Sequence, residues 1–452
     1  MSDRATRRDF FRQSALAGAA GSAMLAARPV LAQSPNEKVR FACIGVGGKG
    51  DSDTNDAGKH GEIVALCDVD EKTLDKMGAK YPNAKKYYDY RKMLEEMGEK
   101  IDAVTISTPD HTHAIAAAMA MRLGKHVFVQ KPLTWSIEEA RLLRTLAAEK
   151  KLATQMGNQG TAADGFRQGV EVIRSGALGS VKEIHVWTNR PIWPQGIARP
   201  KGTPGIPNNL HWYEWLGPAK DRPFHAGYHP FAWRGWLDFG TGALGDMACH
   251  TVNVAAMALG LFDPKSVEVV ETSGIVDKET YPAWSIIKTH FGEREGRGPV
   301  DLIWYDGGNK LPPEKRSEIQ AKLKADKLPG SGLLLVGDRG LFFSPDDYGA
   351  KHNLMTPDGG KMETPAIEKS LPRSPGHFRE WVDAITSKDP SKALSNFDYA
   401  ARLTETVLLG VVALKSGGKI EWDAAGMRAR NNSDADQYLR REYRKGFSIH
   451  TA

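Results

Sequence analysis

Along the first third of the chain, short apolar runs alternate with longer segments whose apolar residues are spaced for one face of a helix. The runs at 39–44, 62–67, 103–107 and 126–130 read as strands buried on both faces. Between them, 72–80, 114–123 and 137–150 read as helices, 85–88 as an edge strand, and 153–159 closes the series. Strands alternating with helices predict a doubly wound parallel sheet. Beyond residue 160 the texture changes. Segments 181–189, 266–272, 285–291, 300–305 and 333–336 read as strands without a helix at each step, which predicts a largely antiparallel sheet. Helices at 377–385 and 399–414 are amphipathic packing elements. The stretch 422–443, rich in Arg and Asn, reads as an arm over its own or a neighbouring subunit. A Lys/Glu-rich insertion at 311–330, bounded by Pro312-Pro313 and Pro329-Gly330, reads as a solvated surface element.

The first strand breaks into Gly45-Val46-Gly47-Gly48-Lys49-Gly50, the spacing G-x-G-x-x-G. At the start of a βαβ unit this spacing builds a phosphate cradle. Gly45 makes the tight turn, Gly47 admits a pyrophosphate to the backbone, and Gly50 lets the next helix pack on the strand. The helix start adds unpaired N–H groups and the positive end of its dipole. Some twenty residues on, the second strand ends at Asp68, where an acid bonds the adenosine ribose and repels a 2′-phosphate. NAD is therefore expected rather than NADP. Asp68 could instead cap the next helix, a role for which Asp70 competes. The expected organisation is α/β, with a Rossmann domain at 33–160 and a C-terminal α+β domain at 161–452.

Composition changes this picture only at the amino terminus. The 452 residues suffice for two or three domains, and 41% hydrophobic with 26% charged residues is ordinary for a globular chain. Of the formal charge of +6, three units come from residues 1–32, where five arginines face two aspartates. The remainder is interspersed and leaves no nucleic-acid footprint. Arg7-Arg8 and the Ala/Gly-rich run 14–27, followed by Val30-Leu31-Ala32, form the pattern of a twin-arginine signal peptide over 1–32, which predicts export to a periplasm. That run is too short and too weakly apolar for a permanent membrane span. Three cysteines, Cys43, Cys67 and Cys249, are too few for a disulfide framework and read as small buried apolar residues.

Several side chains could carry chemistry. Thr108-Pro109-Asp110-His111-Thr112-His113 and Gln130-Lys131-Pro132 each follow a strand, where open α/β sheets bind ligands. Lys131 is either a site lysine or a surface residue capping its strand. Asp246 and His250, four apart, share one helix face, as a surface pair, part of a metal site or an active-site pair. Residues 211–236 crowd His, Trp, Tyr and Arg side chains together. Aromatic faces suit the C–H faces of sugars, but some of these rings must be core. Tyr228, His229, Trp233 and Arg234 are the candidates for substrate contact.

The glycine loop, Thr108-Pro109 with His111 and His113, Lys131-Pro132, and Asp246 with His250 together resemble the Gfo/Idh/MocA family, named for glucose–fructose oxidoreductase and inositol dehydrogenase. The family's Glu-Lys-Pro is Gln130-Lys131-Pro132 here. The resemblance implies an NAD-dependent oxidoreductase acting on a sugar, polyol or glycoside hydroxyl. Its cofactor contacts would be Gly45 to Gly50, Asp68, Thr108, Pro109, His111, His113, Gln130 and Lys131. Lys131 and His250 would be the acid/base groups and Asp246 a substrate binder, with no metal. A lysine there loses its proton more readily through desolvation and nearby positive charge, and a histidine can exchange a proton near neutral pH. The resemblance also implies a homo-oligomer. Export adds a constraint, since a released NADH would not be regenerated, so the cofactor is expected to stay bound and be recycled. A second reading is a redox-neutral glycoside hydrolase or lyase, in which oxidation at C3 acidifies the C2 proton and allows the aglycone to leave. A non-catalytic sugar sensor is a third.

Overall fold

The structure, a computed structural model, describes residues 38–294 and 296–450. The expected signal peptide lies outside the described residues.

Six strands form the first sheet: β1 Val39–Ile44, β2 Gly61–Cys67, β3 Lys85–Tyr87, β4 Ala103–Ile106, β5 His126–Val129 and β6 Thr154–Met156, in the order 3-2-1-4-5-6. Every pairing is parallel. Helices α1 Lys49–His60, α2 Glu71–Lys80, α3 Tyr90–Met97, α4 Asp110–Arg122 and α5 Ile137–Lys150 connect them. The strand order reverses between β1 and β4, and a crevice off the carboxyl ends of these strands is where such sheets bind ligands. Helix α4 starts at Asp110, four residues before the pattern suggests, because Pro109 sits extended at its N-cap. That early start turns His111 and His113 into helix residues.

After α6 Asp164–Arg174 comes β7 Val181–Trp187, then a long loop holding the short helix α7 Trp212–Leu216. Helices α8 Gly242–Thr251 and α9 Asn253–Leu259 precede β8 Ser266–Thr272, β9 Ser285–Phe291 and β10 Val300–Tyr305. Helix α10 Pro313–Leu323 leads to β11 Gly332–Gly337, β12 Leu341–Ser344 and β13 Asn353–Met355. After α11 His377–Thr386 and α12 Phe397–Ser416, β14 Lys419–Asp423 and β15 Arg428–Ala429 complete a nine-stranded sheet, 13-12-11-7-10-9-8-14-15. It is antiparallel except where β7 meets β10.

Two packing arrangements were not legible as such. Helix α11 buries Phe378 and Trp381 against Phe41 and Phe128, so a C-terminal helix covers one face of the N-terminal sheet. The 311–330 insertion is not simply solvated. Leu311, Ile319 and Leu323 are buried against Trp187, Tyr305 and Leu334, so α10 covers one face of the second sheet while its charged residues stay outside. The 422–443 stretch forms β-structure and a short 3-10 turn. Its continuation folds back on this chain, where Arg441 donates to His111 O and Arg444 to Gly217 O. All three cysteines are buried and unbridged. No described helix is long and apolar enough to cross a membrane.

Candidate active site

A cavity of about 760 Å³ opens at the carboxyl ends of β1, β4 and β5 and runs from Asp68 to Tyr348. The glycine loop forms one wall. Gly45 has φ +75°, and a Cβ there would sit 2.7 Å from Ser107 O. A Cβ on Gly50 would lie 1.8 Å from Gly45 O, so this glycine lets α1 pack on the turn while staying behind the cavity wall. Val46 is likewise buried, and its N–H donates to Asp68 Oδ2 at 2.8 Å. No side chain caps α1, while the Gly50 and Asp51 N–H groups bond back to Gly47 O and Gly48 O, so the helix start offers an anion chiefly the positive end of its dipole. Asp68 accepts from Val46 and Asp70 N–H and lines the cavity, while Asp70 caps α2 by accepting from Lys72 N–H. The capping role left open by the sequence thus falls on Asp70, which leaves Asp68 facing the cavity. Burial pushes the Asp68 carboxyl up to about 6, against the opposing pull of the Asp70 and Val46 N–H bonds. A glycine turn no side chain would fit, an uncapped helix start and an acid beyond them suit a dinucleotide.

Thr108, Pro109, Gln130 and Lys131 line the cavity; His111 and His113 do not. The expectation that both histidines contact the cofactor is corrected here. His111 lies between Trp215 and Phe239, with Nε2 2.9 Å from Trp215 O. His113 Nδ1 lies 2.8 Å from Pro132 O and its Nε2 2.8 Å from Thr108 O. It ties together the loops that follow β4 and β5, and so positions the site without entering it.

At the other end, Lys131 Nζ donates to Asp246 Oδ1 at 2.7 Å and to Asp246 O at 2.9 Å. Arg234 Nε approaches the same Oδ1 at 3.3 Å, its guanidinium packed on the Trp233 ring at 4.3 Å. Burial would raise the Asp246 carboxyl, but the Lys131 and Arg234 cations outweigh it and hold the group below its ordinary value. His250, one turn further along α8, is buried, and its Nδ1 has no partner among the described residues. Its ring stands edge-on to Tyr348 at 4.9 Å. Burial, reinforced by the Lys131 charge, pushes His250 down to about 3, which favours the neutral imidazole. A neutral imidazole with an open nitrogen can accept a substrate hydroxyl.

Of the four expected substrate contacts, His229, Trp233 and Arg234 line the cavity. Tyr228 is corrected to a core residue: it is 3% exposed and packs edge-on to Trp236 at 4.8 Å and to Phe239 at 5.5 Å. Sequence reasoning missed Arg190 and Trp193, which follow β7, and Asp347 and Tyr348 from the loop after β12. Arg190 and Trp193 had a signal, since they lie just beyond a strand end. Tyr348 had none. Asp110, part of the motif after β4, does not line the cavity and is buried beside Thr241, whose hydroxyl donates to it at 2.7 Å; burial pushes its carboxyl up to about 7.

Family models match the chain at residues 39–158, as an oxidoreductase family NAD-binding Rossmann fold, and at 184–296, as the C-terminal alpha/beta domain of the same family. The chain belongs to the Gfo/Idh/MocA oxidoreductase family. Its N-terminal domain is an NAD-binding Rossmann fold. Among curated proteins it is 33% identical over 202 residues to glycosyl hydrolase family 109 protein 2 of Akkermansia muciniphila, covering 40% of this chain and 42% of that one. It is 24% identical over 216 residues to levoglucosan dehydrogenase of Pseudarthrobacter phenanthrenivorans, covering 47% and 46%. The chain thus matches less than half the length of either relative. The fold is shared with the WlbA dehydrogenase of Bordetella pertussis, solved in complex with NADH and UDP-GlcNAcA. The TM-score is 0.59 at 15% identity, over 86% of this chain and 99% of that one.

Proposed function

We propose that this family member oxidises a hydroxyl of a sugar, polyol or glycoside, with Lys131 as the proton-transfer group. The observation that carries this reading is the Lys131 ammonium bound to Asp246 at 2.7 Å in the same cavity as the glycine loop. NAD, when bound, supplies a hydride acceptor. The chain does the rest. Asp246, itself held by Arg234, fixes Lys131 in place, His250 Nδ1 accepts a substrate hydroxyl, and the buried Trp193 and Trp233 rings back the cavity wall. In its neutral form, Lys131 takes the hydroxyl proton as the carbon loses hydride. The purified protein, incubated with a panel of polyols, free sugars and glycosides, is expected to form a ketone from at least one of them in a Lys131-dependent way. Turnover intact in Lys131→Met would overturn the assignment.

A second reading, redox-neutral cleavage of a glycoside, is favoured by the 33% identity to a glycosyl hydrolase family 109 protein. Released aglycone without net NADH distinguishes it from oxidation. We further propose export by the twin-arginine route, on the strength of Arg7-Arg8 and the apolar run after them, with NAD retained through each turnover. Mass spectrometry of the denatured protein, looking for stoichiometric NAD, tests retention, and cell fractionation tests export. Self-association belongs to the same proposal and is measured by light scattering.

A further inference from the structure

The residue before Lys131 breaks the family pattern, with Gln130 where an acid is usual. The structure places a buried carboxylate directly against it. Asp53, on the second turn of α1, is 2% exposed, and its Oδ2 accepts from Gln130 Nε2 at 2.8 Å and from Ser107 Oγ at 2.7 Å. Its Oδ1 is paired with the Lys49 ammonium. Gln130 Oε1 faces the backbone N–H of Lys131 at 3.4 Å. One carboxylate therefore joins three segments that meet the cavity, the glycine-loop helix and the ends of β4 and β5. A glutamate at 130 would set two carboxylates against each other, whereas an amide donates to one and still faces Lys131 with its oxygen.

We propose that Asp53 is a positioning residue for the cofactor end of the site, holding Lys49 and the Gln130-Lys131 pair in place, so that the acid missing at 130 is supplied from α1. The proposal rests on the NAD-dependent reading above. It predicts that the two positions are coupled, an acid on α1 with an amide at 130 or the reverse. The packing leaves no slack for escape, since Gly157 lies so close to the Gln130 carboxamide that a Cβ there would sit 2.5 Å from Nε2. The titratable groups facing Asp53 are Lys49 and the Cys43 thiol on β1, which burial keeps protonated by raising it to about 11.

The test is a swap of the pair, read by NAD affinity across pH 6 to 9 and by thermal melts. Asp53→Asn alone is expected to weaken NAD binding by about tenfold, of the order seen when one partner of a buried network is removed. Gln130→Glu alone is expected to weaken it by at least about tenfold, with a loss that grows as pH rises and the second carboxylate is forced to ionise. The double variant D53N/Q130E keeps one acid, one amide and their hydrogen bond, and is expected to bind NAD within about threefold of the wild type without the added pH dependence. Ser107→Ala, which removes one donor and leaves both charges, is the milder control, with an expected loss of about threefold. A double variant no better than the worse single variant, or Gln130→Glu binding like the wild type, would overturn the proposal alone. Wild-type protein that binds neither NAD nor NADP would overturn the oxidoreductase reading and this one with it.

Discussion

At its cofactor end the cavity is walled by the turns that follow neighbouring parallel strands, Gly45 to Lys49, Asp68 and Thr108. At its other end Lys131, Arg234, Asp246 and Tyr348 come from three separate stretches of chain, Arg234 and Asp246 lying twelve residues apart. The first wall works largely through backbone: a turn no side chain would fit, a helix start with no side-chain cap, and the Asp68 carboxylate. The second works through side chains whose value depends on each other, since Asp246 holds Lys131 and Arg234 at once. The comparison teaches that a dinucleotide site is set by local geometry, and a substrate site by which distant side chains the fold brings together.

The largest effect expected from breaking that comparison is at Lys131. Lys131→Met should lower turnover about 10²- to 10⁴-fold, the usual worth of a positioned proton-transfer group. It also leaves the buried Asp246 with Arg234 as its remaining cation partner among the described residues, so a drop in Tm is expected. Pairing it with Asp246→Asn should restore Tm while turnover stays lost. Recovery of turnover in K131M/D246N would mean that Lys131 only neutralises Asp246. Next in size is a contrast between sequence neighbours. Tyr228→Ala should cost about 3–5 kcal/mol in urea unfolding as a core deletion. His229→Ala should leave stability alone and raise KM about five- to tenfold, the worth of one hydrogen bond.

That contrast also marks how far the sequence could be read. The glycine spacing, Asp68 and the parallel sheet were legible because each depends on residues within one βαβ unit. His111 and His113 were misassigned because Pro109 starts α4 early and turns both rings into the protein. Tyr228 and His229 are equally plausible in sequence. Only the placement of Trp236 and Phe239 around Tyr228 decides which one is core. In the 311–330 insertion the Lys/Glu content points to solvent, and only the packing of Leu311, Ile319 and Leu323 on Trp187 and Leu334 shows the buried face. Tyr348 reaches His250 from a turn with no motif. The residue type of His250 suggests a proton exchanger, but does not show the burial and the Lys131 charge that favour its neutral form.

The same burial gives the two ends opposite responses to acid. His250 is pushed from 6.5 to about 3, so between those values the unfolded chain binds a proton that the native state refuses, and stability falls as pH falls. His250→Gln should remove about 1.4 kcal/mol per pH unit of that loss in the window, with no effect on its slope above pH 7.5. Asp68 is pushed from 3.8 to about 6, so in that window the native state binds the extra proton and stability rises as pH falls. Asp68→Asn should remove a slope of the opposite sign. Slopes of the same sign in both variants would show that one of these groups is not buried as described.

The smallest effects separate the two acids that follow β2. Asp70 caps α2 through the Lys72 N–H at 3.0 Å and also accepts from Asn209 Nδ2 at 2.8 Å, so Asp70→Ala should cost about 1 kcal/mol of stability, the worth of a cap, and leave NAD affinity unchanged. Asp68→Asn should do the reverse at neutral pH. The asparagine oxygen can accept from only one of the Val46 and Asp70 N–H groups, a loss offset by no longer burying a charge, so the net change in stability is small. Without the negative charge, NAD binding weakens about tenfold and discrimination against NADP narrows, because nothing then repels a 2′-phosphate. Isothermal titration of both variants with both nucleotides makes the comparison. If Asp70→Ala loses more NAD affinity than Asp68→Asn, the ribose partner is the capping residue, and the cofactor end depends on its helix cap as closely as the substrate end depends on Asp246.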